Sequence, residues 1–451
     1  MNIVIVGDGK VGATLAEHLS AEEHNVVVID RNPKVIENMV NSYDVMGICG
    51  NGASYDVQIE AGVQDARLFI AATSSDELNI LCCLMARKIG AHHTIARVRN
   101  PDYLKQLNFI KEELGLSMIV NPEYDAANEI AKVLRFPSAT NIESFARGHV
   151  DLAEIKLTED CPLCDKQLMD IFRSYKTRVL ICAVQRGTEV FIPRGDFVLK
   201  SGDKIHITAT RTALIAFMKE AKLYKQRTKN IMIIGGGKMG YYLARQLSET
   251  GGYNIRILEM DEKRCEELCV LLPKVDIVHA DGTDQHTLHE QGIDNIDAFV
   301  ALTTIDEENI ITSMYASSLG IGKTVAKVNR VSSKVLESIG MDSAFSSKTI
   351  AANRILGYVR ALENSGESSV QTLYKLVGDR VEALEFIISD DFKDTGIPLR
   401  SLNLQKDTLI ASIIRKGEVI FPGGNDTIEI GDSVIVVSKI HNIGNISEIF
   451  K

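Results

Sequence analysis

The sequence predicts an α/β protein in which two doubly wound parallel-sheet domains alternate with two small α+β lobes. Three segments carry this prediction, because each recurs in the second half of the chain: residues 5–12 at 233–240, residues 50–80 at 280–310, and residues 187–207 at 416–436. The two longer pairs align without gaps. Recurrence in a constant order indicates duplicated structural units. We therefore expect the 451 residues to fold as two copies of a two-part unit.

The first part of each copy has the pattern of a βαβ unit. Copy one opens with the apolar run NIVIV, a glycine turn, the amphipathic stretch VGATLAEHLS and the run NVVVID. Copy two repeats this order with NIMII, MGYYLARQLS and NIRILEM. Apolar runs separated by a helical pattern within about 30 residues are typical of a parallel sheet covered by helices. With later runs such as RLFIAAT and DAFVALT, they predict Rossmann-type domains at residues 1–122 and 228–346.

The second part of each copy has shorter β-rich runs. GTEVFIPRGDFVLKSGDKIHI in copy one and KGEVIFPGGNDTIEIGDSVIV in copy two share a proline and a Gly-Asp pair at matched positions. Short apolar runs bounded by such turns are typical of hairpins. We expect small α+β lobes at residues 142–225 and 370–451.

A helical segment follows each Rossmann-type domain. PEYDAANEIAKVLRFP (122–137) and SKTIAANRILGYVRALE (347–363) carry apolar residues at helical spacing. For a single helix of this kind we expect packing on its own domain. The alternative is a helix that leaves its sheet and packs on the other copy, and the duplication favours it.

Composition is that of a folded globular protein and argues against a nucleic-acid partner. Hydrophobic residues make up 45% of the chain, and the formal net charge is −10. Nucleic-acid affinity rests on Lys and Arg that neutralise phosphates, so this charge has the wrong sign. Apolar runs such as LNILCCLMA are much shorter than the roughly 20 residues that span a bilayer. A strand begins at the first residues and leaves no room for an export signal. We expect a cytoplasmic protein that reaches a membrane only through a partner.

Thiol and imidazole groups form no catalytic or metal-binding pattern. The motif CPLC at 161–164 has the spacing of a metal or redox pair, but no second cysteine or histidine pair accompanies it. We expect ordinary packing and no metal site. His92-His93, His286 and His289 lie at unmatched positions in the two copies and lack a carboxylate partner pattern. We interpret them as surface residues.

The two glycine turns predict two nucleotide sites. In a strand–GxGxxG–helix unit the first glycine makes the tight turn, the second lets the backbone approach a pyrophosphate, and the third lets the helix pack on the strand. These positions are Gly7, Gly9 and Gly12 in copy one, and Gly235, Gly237 and Gly240 in copy two. The helix amino terminus then offers free N–H groups to phosphate.

An acidic residue ends the second strand of each copy. Asp30 ends NVVVID, and Glu259 ends NIRILE. A carboxylate at this position accepts hydrogen bonds from a ribose diol and repels a 2′-phosphate, which favours NAD-type or adenosine ligands over NADP. The alternative is that each acid caps the helix that follows it.

Polar residues follow the later strands at matched positions. They are Asn51 and Asp281 after the third strand, Thr73-Ser74 and Thr303-Thr304 after the fourth, and Arg97 and Lys327 at the fifth. Parallel sheets bind ligands at the carboxyl ends of their strands. Hydroxyls and cations suit ribose and phosphate groups. Because the same chemistry recurs in both copies, we expect ligand contacts here and not loop solubility alone.

One position in the glycine turn distinguishes the two sites. Asp8 lies close to the expected phosphate in copy one, whereas copy two has Gly236. Lys10 and Lys238 offset part of the repulsion in either copy. On this ground we expect the first site to bind polyanionic ligands more weakly than the second.

The whole chain resembles the TrkA family, the cytosolic regulatory subunits of bacterial Trk potassium-uptake systems. The resemblance rests on the domain order and on GDGKVG, VVVID, ATSSDE and IARVRNPDY in copy one. Domains of this family are of the RCK (or KTN) type, so the small lobes would be RCK carboxyl-terminal lobes. The resemblance implies binding of NAD(H), or of ATP or ADP as in some members. It also implies a homo-oligomeric, tetrameric ring that gates a TrkH-like transmembrane potassium transporter from the inner face of the membrane.

By position, the resemblance implies one set of nucleotide contacts in each copy. They are Gly7, Asp8, Gly9, Lys10, Val11, Asp30, Asn51, Thr73, Ser74 and Arg97 in copy one, and Gly235, Gly236, Gly237, Lys238, Met239, Glu259, Asp281, Thr303, Thr304 and Lys327 in copy two. Copy two has Lys327-Val328-Asn329 where copy one has Arg97-Val98-Arg99. Whether the two sites take the same ligand therefore stays open.

The alternative function is an NAD-dependent oxidoreductase. Such an enzyme needs a domain that brings a substrate and an acid–base residue to the nicotinamide. The sequence offers no such domain and no Tyr-x-x-x-Lys pairing. A purely structural role would leave the acids at the ribose positions unexplained. We therefore expect a ligand-gated module without catalytic residues.

Overall fold

The computed structural model describes the chain apart from residues 8, 105, 225–227, 331–334, 337–338, 340, 342, 364–369, 378–379 and 391. The first domain has strands β1 (Asn2–Val6), β2 (Asn25–Asp30), β3 (Met46–Cys49), β4 (Leu68–Ala71), β5 (His93–Arg97) and β6 (Met118–Val120). They pair in parallel in the order β3-β2-β1-β4-β5-β6. The helices of this domain are α1 (Lys10–Ala21), α2 (Pro33–Ser42), α3 (Tyr55–Glu60), α4 (Asp76–Ile89), α5 (Pro101–Leu104) and α6 (Leu107–Glu113). The order in which successive strands join the sheet reverses between β1 and β4, and doubly wound sheets bind ligands at this point.

The first small lobe follows helix α7 (Pro122–Arg135). Its strands are β7 (Asn141–Phe145), β8 (Val150–Lys156), β9 (Leu180–Arg186), β10 (Glu189–Phe191) and β11 (Lys204–Ala209), and its helices are α8 (Leu168–Ser174) and α9 (Arg211–Glu220). The strands pair antiparallel in the order β10-β9-β11-β8-β7.

The second Rossmann-type domain repeats the first. Its strands are β12 (Asn230–Ile234), β13 (Asn254–Glu259), β14 (Asp276–His279), β15 (Ala298–Ala301), β16 (Lys323–Lys327) and β17 (Ala344–Phe345). Its helices are α10 (Lys238–Thr250), α11 (Glu262–Leu271), α12 (Gln285–Glu290) and α13 (Asp306–Ser318). The strands are parallel in the order β14-β13-β12-β15-β16-β17, the same topology as the first sheet.

Helix α14 (Ser347–Glu363) leads into the second small lobe. This lobe has strands β18 (Val370–Leu376), β19 (Val381–Ile387), β20 (Thr408–Arg415), β21 (Glu418–Ile420) and β22 (Ser433–Ser438). They are antiparallel in the order β18-β19-β22-β20-β21. Short 3-10 turns lie at Val63–Asp65, Ala146–Gly148, Ile293–Asn295, Leu399–Ser401 and Ile446–Ile449. The predicted fold class, two Rossmann-type domains each followed by a small lobe, is confirmed.

The two connecting helices cross to the opposite copy. Helix α7 packs on α10 of the second Rossmann-type domain, and α14 packs on α1 of the first. Packing of each helix on the Rossmann-type domain that precedes it, the expectation for a single helix, is therefore wrong, although α14 also packs on β18 of the lobe that follows it. The alternative that the duplication favoured is confirmed.

Apolar faces explain the crossing of α7. Its residues Ala126, Ile130 and Leu134 are buried in one cluster with Leu243 and Leu247 of α10. The contact buries apolar surface of both helices, and apolar burial is the main favourable term in folding.

The crossing of α14 joins two domains in one core. Ile355 and Val359 of α14 lie in a single cluster with Leu15 and Leu19 of α1. The same cluster continues into the second small lobe through Phe386. The first Rossmann-type domain and the second small lobe therefore share a core, although they are distant in sequence.

The two small lobes pack face to face. Leu152 and Cys182 of the first lobe share a buried cluster with Ala383 and Val437 of the second. The rings of Phe145 and Tyr374 meet edge to face, with centroids 5.0 Å apart. One chain thus forms a pseudo-dimer of its two copies. Within the described residues, no helix combines the length and apolarity needed to cross a bilayer.

Candidate nucleotide-binding sites

Two glycines in each turn are required by the fold itself. Gly7 and Gly235 have positive φ angles of 90° and 97°, which side chains of L-residues rarely adopt. A Cβ at Gly12 would lie 2.0 Å from the carbonyl oxygen of Gly7, and one at Gly240 would lie 2.3 Å from that of Gly235. The first and third glycines of each motif therefore make the turn and allow the close helix–strand packing that the motif predicts.

The middle glycine of each turn is not required by the fold. Gly9 and Gly237 have φ angles of −70° and −60°, which any residue adopts. A Cβ at Gly9 would have Ala72 O as its nearest neighbour, at 3.5 Å, and one at Gly237 would meet nothing within 4 Å. Both glycines stand at helix N-caps without any side-chain cap. The space at each helix amino terminus is thus open to a ligand from outside the chain.

The helix residues that follow contribute through their backbone. The side chains of Val11 and Met239 turn into the core and are 4% and 5% exposed. Only their N–H groups can face a ligand at the helix terminus. Lys238 is exposed. Asp8, on which the ranking of the two sites depended, lies outside the described residues.

The predicted ribose-binding acids end their strands as expected. Asp30 Oδ1 accepts a hydrogen bond from the N–H of Asn32 at 2.8 Å. Glu259 Oε2 accepts from the N–H of Gly236 at 2.6 Å, which holds the glycine turn against the strand end. The helices that follow are capped by other side chains, those of Asn32 and Asp261. Helix capping therefore does not account for either acid.

The polar residues after the third strands each accept a hydrogen bond from the backbone N–H two residues on, but their other partners differ between the copies. Asn51 Oδ1 accepts from Arg31 Nη2 at 2.7 Å. Asp281 Oδ1 instead accepts from the Thr283 hydroxyl at 2.7 Å. Each side chain lies at the carboxyl edge of its sheet, where the motif placed it.

The hydroxyls after the fourth strands are held by helix residues. Thr73 Oγ1 donates to Asn79 Oδ1 at 2.6 Å, and Thr303 Oγ1 donates to Glu308 Oε2 at 3.1 Å. The carbonyl of Ser74 accepts from Arg99.

The cation at the fifth strand of copy one lies against this loop. Arg97 Nη1 is 3.5 Å from the carbonyl oxygen of Thr73, and its Nη2 is 3.5 Å from Glu123 Oε1. Burial lowers the pKa of Arg97, and the neighbouring Glu123 opposes that shift. Lys327 occupies the matching strand end in copy two.

Sequence reasoning missed two buried residues that fix these loops. Asn79 accepts a hydrogen bond from the N–H of Thr73 and donates one to the carbonyl of Arg97, which ties the fourth strand end to the fifth. Asn309 makes the same two bonds to Thr303 and Lys327. Both asparagines are fully buried. The signal was present, because they align within ATSSDELN and LTTIDEEN.

A second missed pair stands at the start of the next helix. Asp76 accepts hydrogen bonds from the N–H groups of Arg99 and Asn100, both at 2.8 Å. Asp306 does the same for Asn329 and Arg330, at 2.7 Å. These carboxylates position the loop after the fifth strand.

A cavity of about 300 Å³ marks the second site. Of the predicted residues, six line it: Gly235, Gly237, Glu259, Asp281, Thr303 and Thr304. Glu308 lines it as well. Gly236, Lys238, Met239 and Lys327 are not among its lining residues. The structure thus brings the predicted ribose-binding Glu259, Asp281 and the two threonine hydroxyls together beside the glycine turn. It leaves Lys238 and Lys327 outside the cavity lining.

The remaining thiols and histidines take ordinary places. Cys161 is buried, and burial raises the pKa of Cys164 to about 11, so this thiol is a poor nucleophile. The described residues contain no group of three His, Cys, Asp or Glu side chains placed to hold a metal. The expectation that the histidines lack a carboxylate partner is wrong for His289, whose Nδ1 lies 2.8 Å from Asp294. The pair is exposed, and neither residue lines the cavity of the second site.

Family models and curated relatives match the chain along its length. The TrkA-N domain model matches residues 3–122 and 231–347, and the TrkA-C domain model matches residues 152–222 and 395–451. A Trk system potassium uptake protein TrkA homolog of Archaeoglobus fulgidus is 33% identical over 452 residues and covers 100% of both chains. The Trk system potassium uptake protein TrkA of Halomonas elongata is 30% identical, covering 97% of this chain and 95% of its own.

Solved structures with this fold include parts of a channel. The RCK domain of GsuK superposes with a TM-score of 0.61 at 20% identity, covering 97% of this chain and 92% of that one. The GsuK channel bound to NAD gives the same TM-score and identity, covering 97% and 76%. At this identity the likeness concerns the fold.

Proposed function

We propose, on the premise that the chain belongs to the TrkA family, that it is a nucleotide-binding regulatory subunit of a potassium-uptake system. Ligand binding in the Rossmann-type domains changes the angle between paired domains, and this motion gates a TrkH-like membrane transporter. The named role of its relatives in Trk potassium uptake supports the choice of partner.

The middle glycines carry the proposal. Gly9 and Gly237 have ordinary backbone angles and free space where a side chain would stand. An uncapped helix amino terminus with a bare backbone is the arrangement that binds a phosphate group. Since the fold gives no reason for glycine at either position, a ligand that approaches the backbone supplies one.

NAD(H) is the proposed ligand class, with ATP and ADP as the alternatives. Asp30 and Glu259 stand at the strand ends where a carboxylate binds a ribose diol and repels a 2′-phosphate. The fold neighbour GsuK has been solved bound to NAD, which supports the same class.

The proposed assembly is a homotetrameric ring at the inner face of the membrane. The chain already forms a pseudo-dimer, and copies of such a unit close by rotational symmetry. Exposed apolar side chains on α13, among them Ile311 and Met314, offer surface for contacts between copies. In this arrangement the protein stays in the cytoplasm and meets the membrane through its partner.

We infer no catalytic role. The polar side chains that line the second cavity are hydroxyls and carboxylates. His289, which pairs with Asp294, is exposed and lies outside the cavity lining. An NAD-dependent oxidoreductase remains the alternative, and turnover of NADH with carbonyl substrates would establish it.

A thermal-shift series tests the ligand class. NADH, NAD, ATP, ADP and NADP are compared on the wild-type chain and on an Asp30→Ala, Glu259→Ala variant. We expect NADH to raise the melting temperature of the wild type more than NADP does, and the variant to lose that preference. Equal stabilisation of the wild type by NADH and NADP would contradict the role given to the two acids. Light scattering at micromolar concentration tests the ring, and a monomer would overturn it.

A further inference from the structure

Three residues that line the cavity of the second site differ in charge from their aligned counterparts in copy one. Copy one has Arg31, Asn51 and Leu78 where copy two has Met260, Asp281 and Glu308. The formal charge of these positions is +1 in copy one and −2 in copy two. The difference remains when Asp8 is counted against Gly236, because the totals become 0 and −2.

The structure gathers the acidic residues of copy two on one cavity. Glu259, Asp281 and Glu308 all line it, and no lysine or arginine belongs to that lining. Phosphate groups placed there would meet three carboxylates at close range. Like charges that are partly shielded from water repel by about 1 kcal/mol or more for each close pair.

Glu308 lines the same cavity as Gly235 and Gly237 of the glycine turn. Its Oε2 accepts a hydrogen bond from the hydroxyl of Thr303, which lines that cavity as well, at 3.1 Å. Phosphate groups held at the glycine turn would therefore share the cavity with this carboxylate. In copy one this position is Leu78, and the Thr73 hydroxyl is held by the neutral Asn79 instead.

The other two differences lie at the ribose side. Arg31 reaches Asn51 with a hydrogen bond of 2.7 Å, so a guanidinium stands beside the third strand end of copy one. In copy two Met260 is 68% exposed and brings no charge. Asp281 adds a carboxylate at the same place.

Lys238 follows the second glycine turn but is exposed and does not line the cavity. A second cation near this turn, Arg264, is already paired. Arg264 Nε donates to the carbonyl of Gly236 at 2.9 Å, and its Nη1 donates to Glu267 at 2.8 Å. Its charge is thus matched by Glu267 and does not offset the three carboxylates of the cavity.

We propose that Glu308 makes the second site selective for a nucleoside or a nucleoside monophosphate, whereas the first site admits nucleoside diphosphates, triphosphates and dinucleotides. This inference rests on the proposed function and narrows it, since NAD(H) is then assigned to the first site and the second site takes a nucleoside or a nucleoside monophosphate. It reverses the order expected from Asp8 alone, because the carboxylates of the second cavity outnumber that single charge.

The experiment measures each site separately by calorimetry on the full chain. Gly9→Ala blocks the first site and leaves the second, and Gly237→Ala does the opposite. Both substitutions fit the backbone without a clash. Adenosine, AMP, ADP and ATP are titrated with EDTA present, so that no divalent cation screens the phosphates. We expect affinity at the second site to fall by about tenfold or more from AMP to ADP, equivalent to about 1.4 kcal/mol. At the first site it should not fall.

Reciprocal substitutions identify the residue responsible. Glu308→Leu should raise the affinity of the second site for ADP about tenfold, because it removes a carboxylate that repels phosphate. The affinity for adenosine, which carries no phosphate, should stay the same. Leu78→Glu should weaken ADP binding at the first site by a similar factor. Glu308→Gln and Leu78→Gln are the matched variants that keep side-chain size, and they guard against a folding defect. The Glu308→Leu effect should shrink at high salt, since charge repulsion is screened.

Three outcomes would overturn the assignment. One is ADP binding at the second site as tightly as at the first. Another is a Glu308→Leu variant that changes adenosine and ADP affinities equally. The third is a first site that binds ADP beside a second site that binds none of the four ligands. In each case nucleotide binding at the first site leaves the proposed function intact, and absence of binding at both sites would overturn the function as well.

Discussion

Arg360 of α14 donates a hydrogen bond to Glu22, at the carboxyl end of α1, over 2.6 Å. The same guanidinium donates to Glu382 of β19 at 2.9 Å and to Asn442 at 2.9 Å. Arg360 and Glu382 are 3% and 1% exposed. One buried charge network therefore joins the first Rossmann-type domain, the crossing helix and the second small lobe.

Loss of this arginine should destabilise the fold strongly. Arg360→Leu leaves Glu382 buried without its partner, and breaking a buried ion pair costs roughly 3 to 5 kcal/mol. Urea unfolding followed by circular dichroism gives the change in the free energy of unfolding. The matched control is Arg135→Leu, because Arg135 has the same place on α7 but, among the described residues, donates to no group besides the hydroxyl of Thr250, at 3.2 Å. Equal losses in the two variants would contradict the importance of the network.

Substitution of the glycines should separate ligand binding from folding. Gly9→Ala adds a methyl group where the structure has room, so the melting temperature should stay within a few degrees of wild type while nucleotide stabilisation is lost. Gly12→Ala forces a Cβ to 2.0 Å from a carbonyl oxygen and should lower the melting temperature without ligand. A Gly9→Ala variant that keeps wild-type nucleotide affinity would refute the ligand role of this position.

Stability should depend on pH through Glu143. Burial, together with the nearby Glu129 carboxylate, raises the pKa of Glu143 well above its ordinary value of 4.5. Above that ordinary value the folded state holds a proton that the unfolded chain releases. The free energy of unfolding therefore falls as the pH rises.

Glu143→Gln removes this dependence and should raise the melting temperature at about pH 8, with little effect at about pH 4. Glu189→Gln, at an exposed position on β10, is the control. A Glu143→Gln variant that is destabilised most at high pH would show the opposite sign and contradict the argument.

The buried asparagines should act on their own sites. Asn309→Ala leaves the N–H of Thr303 and the carbonyl of Lys327 without their partner, which costs roughly 1 to 3 kcal/mol. We expect weaker ligand binding at the second site and none of this effect at the first. Asn79→Ala should show the converse. Calorimetry with either site blocked distinguishes the two, and a uniform loss at both sites would indicate a global defect instead.

Much of the fold was predictable because the information is local. Apolar runs, glycine turns and matched acids define two βαβ units wherever they occur, and Asp30 and Glu259 stand where the motif requires. The crossing of α7 was predicted as one of two alternatives, since helical spacing gives the apolar face of a helix but not the surface that covers it. Arg360 gave no signal, because its partners come from three distant segments.

The candidate sites were predicted in part. Glu259 and Asp281 were predicted from the sequence. Their convergence with Glu308 on one cavity required the structure. Asn79 and Asn309 lie in a stretch that the sequence singled out, yet their role as ties between strand ends depends on side-chain geometry.

The exchange of helices sets an order of events during synthesis. The apolar face of α1, which includes Leu15 and Leu19, is covered by Ile355 and Val359 of α14. Those residues leave the ribosome some 340 residues later, which at about 5 to 20 residues per second takes roughly 20 to 70 s. During that interval α1 of the nascent chain exposes an apolar face. Helix α14 of another copy of the chain has the residues to cover it. Chaperone binding to the growing chain, or pairing of two chains on one polysome, is therefore expected to be part of how this protein is made.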